Sequence, residues 1–242
     1  MTEVSAKPNA RSVVIVAAHP DDEVLGCGGT AARLAAEGDA VHILLMADGE
    51  GARADRNAGR VEIRERMSAR SAAARSAGKI LGCASVELLR YADNRMDGEQ
   101  LLDVVQAVER FMTLHRPSLV LTHHAGDVNV DHRVVHEAVV VACRPQPGLG
   151  VRELLFFEVP SSTEWRPPPG PALFHPNWFV DISATLDRKV EALNAYASEL
   201  REFPHPRSTA AVRALAQWRG ASAGLLAAEA FVLGRKLLPA VD

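Results

Sequence analysis

His19, Asp21, Asp22 and Glu23 stand directly behind an apolar run, Val13-Val14-Ile15-Val16-Ala17-Ala18, with Pro20 set among them. An imidazole and a carboxylate three residues apart can meet one ion from a single turn of chain. Nitrogen and oxygen donors at ~2.0–2.2 Å suit zinc. Pro20 disfavours helical backbone at His19, so the chain turns sharply and aims its neighbours outward. Helix capping is the competing account, because acidic side chains favour helix N-termini. It explains one aspartate well, but not a histidine together with three acids.

A second cluster, Asp127-Val128-Asn129-Val130-Asp131-His132, lies more than a hundred residues further on. A third ligand from such a distant loop completes the three-residue set of a catalytic zinc and leaves a position for water. His132 is the choice for it. Asp131 is placed to orient either a neighbouring histidine or the site's base. His136 makes a rival pair with His132 on one helical face, yet residues 132–136 read His-Arg-Val-Val-His and lack the HExxH pattern. His123 and His124 either line the pocket or decorate the loop.

The elements that must position these clusters alternate. Short, β-branched apolar runs at Val13–Ala18, Val41–Met46, Val86–Tyr91 and Ser118–Thr122 read as strands covered on both faces. Helical patterns fall between them, to about Glu37, over Val61–Leu81, over Glu99–His115 and from about Asp131 to Cys143. The alternation implies βαβ units: an α/β, Rossmann-like, mostly parallel sheet flanked by helices. Ligands of such sheets bind beyond the carboxyl ends of the strands, where both clusters fall. Past residue 144 the rhythm changes, with strands at Glu153–Val159 and Trp178–Ile182, a proline loop at 166–171, and helices expected over 184–200 and 209–238. A single domain is expected over 1–242, with 1–11 as a flexible tail, 51–60 as a mobile loop and 144–242 as a less regular part that caps the site.

The chain has 242 residues with 27 Lys and Arg against 30 Asp and Glu, a net charge of −3 that offers no footprint for nucleic acid. No apolar stretch is long enough for a membrane span, and the polar start lacks a secretory apolar region. The three cysteines match no metal or redox spacing, which fits reduced structural thiols and a cytoplasmic setting.

A different class competes on Gly26-Cys27-Gly28-Gly29, which opens a helix after a strand with Asp48 about 20 residues on, as in a nucleotide-binding turn. The third glycine is missing, and three carboxylates before the turn would repel a pyrophosphate. Close packing of helix on sheet is the simpler account of these glycines.

His-Pro-Asp-Asp-Glu after an apolar strand, with the later Asp-x-Asn-x-Asp-His, resembles the LmbE/PIG-L family of zinc-dependent N-deacetylases. Leu81-Gly82, Asp93-Asn94-Arg95, Phe157-Glu158, Val180-Asp181-Ile182, Phe203-Pro204-His205-Pro206-Arg207, Arg219-Gly220 and Ala228-Glu229-Ala230-Phe231 extend the likeness over nearly the whole chain. The resemblance implies hydrolysis of an N-acyl, usually acetyl, group from an amino sugar or N-acetylglucosaminyl conjugate. It implies His19, Asp22 and His132 as ligands of Zn2+ (Fe2+ being an alternative ion in the cell) and Asp21 as general base. Arg70 falls where the family has a substrate-binding arginine. Asn129 departs from the family, where several members carry a histidine thought to stabilise the oxyanion; asparagine can donate a hydrogen bond but cannot become cationic.

These roles make one mechanism. A bound zinc acidifies water and polarises the acyl carbonyl, Asp21 takes the proton, and Asn129 is a second donor to the oxyanion. Protonated Asp21, or His123 or His124, serves the departing amine. Asp93, Arg95 and Glu158 near strand ends, with His124, are candidates for binding the sugar or a charged aglycone, and Trp165 or Trp178 for stacking on a sugar ring. A zinc-binding scaffold without catalysis is the third class, disfavoured because structural zinc is normally closed by four protein ligands. The partner is a small amino-sugar substrate, and self-association stays open.

Overall fold

The computed structural model describes residues 10–47, 60–146, 148, 150–168 and 173–238. Asp48, residues 1–9 of the tail expected over 1–11, most of the expected loop 51–60 and part of the proline loop lie outside the described residues.

Five strands run parallel: β1 (Ser12–Ala17), β2 (Ala40–Ala47), β3 (Ser85–Tyr91), β4 (Leu119–His123) and β5 (Glu153–Phe157). β6 (Trp178–Asp181) and β7 (Ala228–Lys236) complete one seven-stranded sheet in the order β3-β2-β1-β4-β5-β7-β6, with β7 antiparallel to both neighbours. The helices are α1 (Asp22–Ala36), α2 (Arg60–Leu81), α3 (Leu101–His115), α4 (Val130–Ala142), α5 (Leu186–Asn194) and α6 (Thr209–Ala221). The α/β, Rossmann-like expectation therefore holds.

β1 shows why its sequence is nearly all apolar. Val13, Ile15 and Ala17 join residues of α1 and α2 in one core, and Val14 and Val16 join those of α3 and α4 in the other. A strand covered on both faces needs no polar side. The chain direction of the sheet order reverses between β1 and β4, which pair directly. A crevice opens at such a switch point beyond the strand ends, and His19 and His132 follow these two strands.

The expected helix over 209–238 is corrected. α6 begins on a Ser208 cap that accepts the Ala211 N–H and ends at Ala221. Gly224, at φ 74°, lets the chain reverse, with the Leu225 N–H bonded to the Gly220 carbonyl. Residues 228–236 then pair with β5 and β6. Alanine-rich sequence permits a helix, but two waiting strand edges supply a full ladder of partners, and the tertiary context overrides local propensity. The helix expected over 184–200 likewise stops at Asn194. Turns follow it, and they carry Tyr196 and Glu199 to buried partners near the site.

Gly26 and Gly29 pack α1 against the sheet: a Cβ on Gly26 would lie 2.3 Å from the Phe157 ring and one on Gly29 2.7 Å from Ile182. α1 is kinked at Cys27, whose φ of −148° is non-helical. The backbone groups freed by the kink are taken up by a buried ion pair. Glu229 accepts the Gly29 and Thr30 N–H groups at 2.9 and 2.6 Å, and Lys189 donates to the Leu25 carbonyl at 2.8 Å and to Glu229 at 2.6 Å. The N–H groups that could cradle a phosphate are thus already bound to a carboxylate, which removes the nucleotide-turn account of these glycines.

No helix among the described residues is long and apolar enough to cross a membrane. The three cysteines are free.

Candidate metal centre

His19, Asp22 and His132 converge although 113 positions separate the first from the last. Asp22 Oδ2 lies 3.1 Å from His19 Nδ1 and 3.1 Å from His132 Nε2. Donors that share one tetrahedral ion at ~2.0–2.1 Å stand roughly 3.3 Å apart, so the spacing suits a single cation. All three residues are buried. Asp22 Oδ1 makes no hydrogen bond, and the ring nitrogens of His132 have only their ion-pair approaches to Asp22 and Asp127. Buried polar atoms are seldom left so, unless an ion supplies what the protein does not. The donor set and the orphaned atoms therefore fit a metal. This is one of two groups among the described residues that could hold one; the other is His19, Asp93 and Asp131.

That second group is better explained as support for the first. Asp131 Oδ2 receives His19 Nε2 at 3.0 Å and the Asn94 N–H at 2.7 Å, while Oδ1 receives the Met96 N–H at 3.0 Å. Asp93 Oδ1 is also 3.0 Å from His19 Nε2. A proton on Nε2, directed at these carboxylates, would leave the Nδ1 lone pair of His19 for a metal. His132 is oriented the same way, its Nδ1 lying 3.1 Å from Asp127 Oδ2. Asp127 is in turn held by the Thr163 hydroxyl at 2.7 Å, by the Ser162 hydroxyl and by the Asn129 N–H at 2.8 Å. Carboxylates on the far nitrogen of a ligating histidine fix its tautomer and raise its basicity.

The charges follow from these contacts. Burial opposes a proton on His132, but Asp22 and Asp127 outweigh it and raise the imidazole to about 9. Burial likewise opposes a proton on His19, and its bonds to Asp131, Asp22 and Asp93 override it, raising the group well above its ordinary value. Asp22 is held well below the carboxylate range because His132 and His19 outweigh its burial. A divalent cation can replace both imidazolium protons in this acidic nest.

Asp21 faces the same site without joining the donor set. Its backbone sits at φ 112°, where side-chain-bearing residues are rare, and its carboxylate makes no cap on α1. Glu23 Oε2 accepts the Asp21 N–H at 3.0 Å, and the Tyr196 hydroxyl donates to Glu23 Oε1. Asp21 Oδ2 receives Arg207 Nη1 at 2.7 Å, and Arg207 Nε bonds the Ser161 hydroxyl at 2.7 Å. Burial pushes the Asp21 carboxyl up to about 6 against the pull of Arg207. Capping accounts for neither aspartate.

A polar cleft opens here, lined by His19, Asp21, Arg70, Asp93, Asn129 and Arg207 among others. Arg70 is buried and paired with Glu199. Asn129 caps α4 through Oδ1, which accepts the Asp131 N–H at 2.8 Å, and its amide donates to Asn94 Oδ1 at 3.1 Å. The other expected residues are not brought in. Arg95 is exposed and does not line the cleft. Glu158 is engaged by Arg219 through two 2.7 Å bonds. His124 is buried, edge-on to Phe174. His136 faces the His123 carbonyl at 2.9 Å rather than the donors. His123 stacks on His132, and its Nε2 accepts the Ala18 N–H at 2.8 Å. Burial and the neighbouring His132 hold it well below its ordinary value, so it braces the site as a neutral ring and is no acid for a leaving amine.

Asp127, Glu23, Tyr196, Ser162, Thr163 and Arg207 were given no role by the sequence reading. Glu23 and Asp127, within the first and second motifs, and Arg207, within Phe203-Pro204-His205-Pro206-Arg207, carried a local signal; Tyr196, Ser162 and Thr163 arrive by folding.

Comparison with known proteins agrees with this geometry. An *Escherichia coli* K12 relative, the uncharacterized deacetylase YaiS, is 34% identical over 164 residues, covering 66% of this chain and 80% of its own. The 4-oxalmesaconate hydratase of *Pseudomonas putida* is 30% identical over 208 residues, covering 78% and 74%. The solved N,N'-diacetylchitobiose deacetylase of *Pyrococcus horikoshii* shares the fold, with a TM-score of 0.75 at 18% identity over 96% of this chain and 88% of that one. Residues 14–143, which hold every one of the metal-site donors, match the model described as PIG-L, GlcNAc-PI de-N-acetylase, and the chain belongs to that family.

Proposed function

We propose that the chain is a zinc-dependent hydrolase that removes the acetyl group from an N-acetylated amino sugar or its conjugate. The observation that carries this reading is the position of Asp21: a buried carboxylate beside three converging donors, facing the cleft and bound to none of them as a fourth ligand would be. His19 Nδ1, Asp22 and His132 Nε2 hold the ion. When bound it supplies Lewis acidity, acidifying a water and polarising the acyl carbonyl.

Arg207 occupies Asp21 Oδ2 and leaves Oδ1 to take a proton from the attacking water and pass it to the departing amine. The second hydrogen of the Asn129 amide, not spent on Asn94, is the donor for the developing oxyanion. Asp93, Asn94 and the Arg70–Glu199 pair are the wall that meets sugar hydroxyls. The whole chain acts as one unit in this reading, with residues beyond 144 completing the sheet and supplying the cap through Tyr196, Glu199 and Arg207. Three protein donors rather than four keep the site open and disfavour a scaffold role.

The hydratase relative supports a second reading, in which the same acidified water adds to a double bond. Arg70 and Arg207 stand on the cleft wall against Asp21, Asp93 and Glu199, so the charge of the wall does not choose between the two substrates. Incubating the zinc-loaded protein with N-acetylglucosaminyl conjugates and with 4-oxalmesaconate separates the two. Release of acetate and a free amine is the expected result, and water addition to the second compound alone would reverse the assignment.

A further inference from the structure

Trp165 is 54% exposed, in a segment that is otherwise tied down. The loop after β5 is closed on itself by the Thr163 N–H to the Val159 carbonyl at 3.0 Å and by the Val159 N–H to the Thr163 hydroxyl at 2.8 Å. Glu164 accepts the Ser161 and Ser162 N–H groups at 2.6 and 3.2 Å. Ser162 and Thr163 anchor one side of the loop to Asp127 behind the metal ligand His132. Ser161 anchors the other side to Arg207, which lines the cleft against Asp21. Ser162 and Thr163 are turned inward and buried, and the loop presents the Trp165 indole outward beside the Glu164 carboxylate.

The indole also has a neighbour that ties it to the turn carrying Arg207. Its ring lies 6.0 Å from His205, edge to face, and His205 Nδ1 accepts the Arg207 N–H at 3.1 Å. Trp165 and His205 thus stand next to Arg207, just outside the lining of the cleft. A large exposed aromatic on an immobilised backbone has little entropy left to lose when something stacks on it. Trp178, the other tryptophan considered for stacking, is instead part of β6, with the Lys236 ammonium 4.7 Å over its ring.

We propose that Trp165, with His205 beside it, is a second subsite that takes the pyranose ring attached to the sugar being deacetylated. The inference rests on the amino-sugar reading of the cleft. A pyranose offers an apolar C–H face to the indole and hydroxyls to the surrounding polar groups, matching a site that is apolar at one point and polar around it. The Arg207, Asp21 and Glu199 side chains along the same wall are a poor surface for an alkyl chain.

Calorimetric titration of the zinc-loaded protein with N,N'-diacetylchitobiose and with N-acetylglucosamine tests this, using wild type, Trp165→Phe and Trp165→Ala. The alanine variant should bind the disaccharide about tenfold more weakly, roughly 1.4 kcal/mol, and the monosaccharide unchanged. The phenylalanine variant should bind both nearly as wild type does. Unchanged disaccharide affinity in Trp165→Ala, equal weakening for both sugars, or a wild type that binds neither overturns the subsite. Disaccharide binding that depends on Trp165 without amine release would refute the deacetylase reading and leave the subsite standing.

Discussion

Asp127 stands 3.1 Å from Nδ1 of His132, and Asp22 stands 3.1 Å from Nε2 of the same ring. One imidazole is thus gripped from both sides, by a metal-site donor and by a carboxylate that two hydroxyls and a backbone N–H hold in place. Burial would raise Asp127, but His132, Ser162 and the Asn129 N–H hold it well below the usual carboxylate range, so it is an anion at neutral pH. Replacing Asp127 with Asn should leave the ligands intact and weaken zinc binding by about 10–100-fold. Competition with a chromogenic chelator reads this directly, and wild-type affinity would show that the Asp127 contact does not tune the site.

Asp21→Asn should keep the metal and lower kcat by about 100-fold or more, the scale of general-base catalysis. In the wild type the base must be ionised, and burial puts its carboxyl at about 6. kcat/KM should therefore fall as pH drops through about 6, and the residual activity of the variant should lack that limb. Loss of zinc from the variant would instead make Asp21 a ligand.

Glu23 couples pH to stability. Burial pushes its carboxyl from 4.5 up to about 8, with the Tyr196 hydrogen bond opposing and Asp21 adding to the rise. A raised folded value means that its contribution to stability is full below about pH 4.5 and is lost as pH climbs toward 8. Glu23→Gln cannot ionise and keeps an acceptor for the Asp21 N–H. Its Tm advantage over wild type should widen by roughly 10 °C between pH 5 and pH 8, at about 2–4 °C per kcal/mol for a chain of this size. A constant difference across that range would place the ionisation elsewhere.

The buried pair Lys189–Glu229 repairs the kink of α1 at both its donor and acceptor ends. Glu229→Ala leaves Lys189 charged and unpaired and strands two N–H groups, which should cost about 3–5 kcal/mol. Chemical denaturation measures it, and a loss under about 1 kcal/mol would mean that the kink is satisfied by other means.

The convergence of His19, Asp22 and His132 was largely legible in the sequence because its signals are local. An apolar strand ends at His19 and Asp22, and Asp131-His132 repeats that pattern after β4, which is β1's partner in the sheet. What surrounds the ligands was not legible, because each contact spans the chain: 186 positions from Arg207 to Asp21, 173 from Tyr196 to Glu23, 35 from Ser162 to Asp127. A serine or an arginine in a loop carries no mark of the partner it will meet. β7 was misread for a related reason, since Ala228-Glu229-Ala230 suits a helix until the edges of β5 and β6 are present to pair with it. Glu158 and Arg95 lie near strand ends as expected, but Glu158 is claimed by Arg219 and Arg95 is exposed and outside the cleft lining.

The most direct measurement is amine release from an N-acetylglucosaminyl conjugate by one protein sample, followed through chelation and stepwise return of zinc. Activity should vanish on chelation and recover in proportion to zinc, saturating at about one ion per chain, as three donors around a single open site require. Amine release that survives complete removal of metal would contradict the account, as would a fully zinc-loaded protein that releases no amine from any such conjugate.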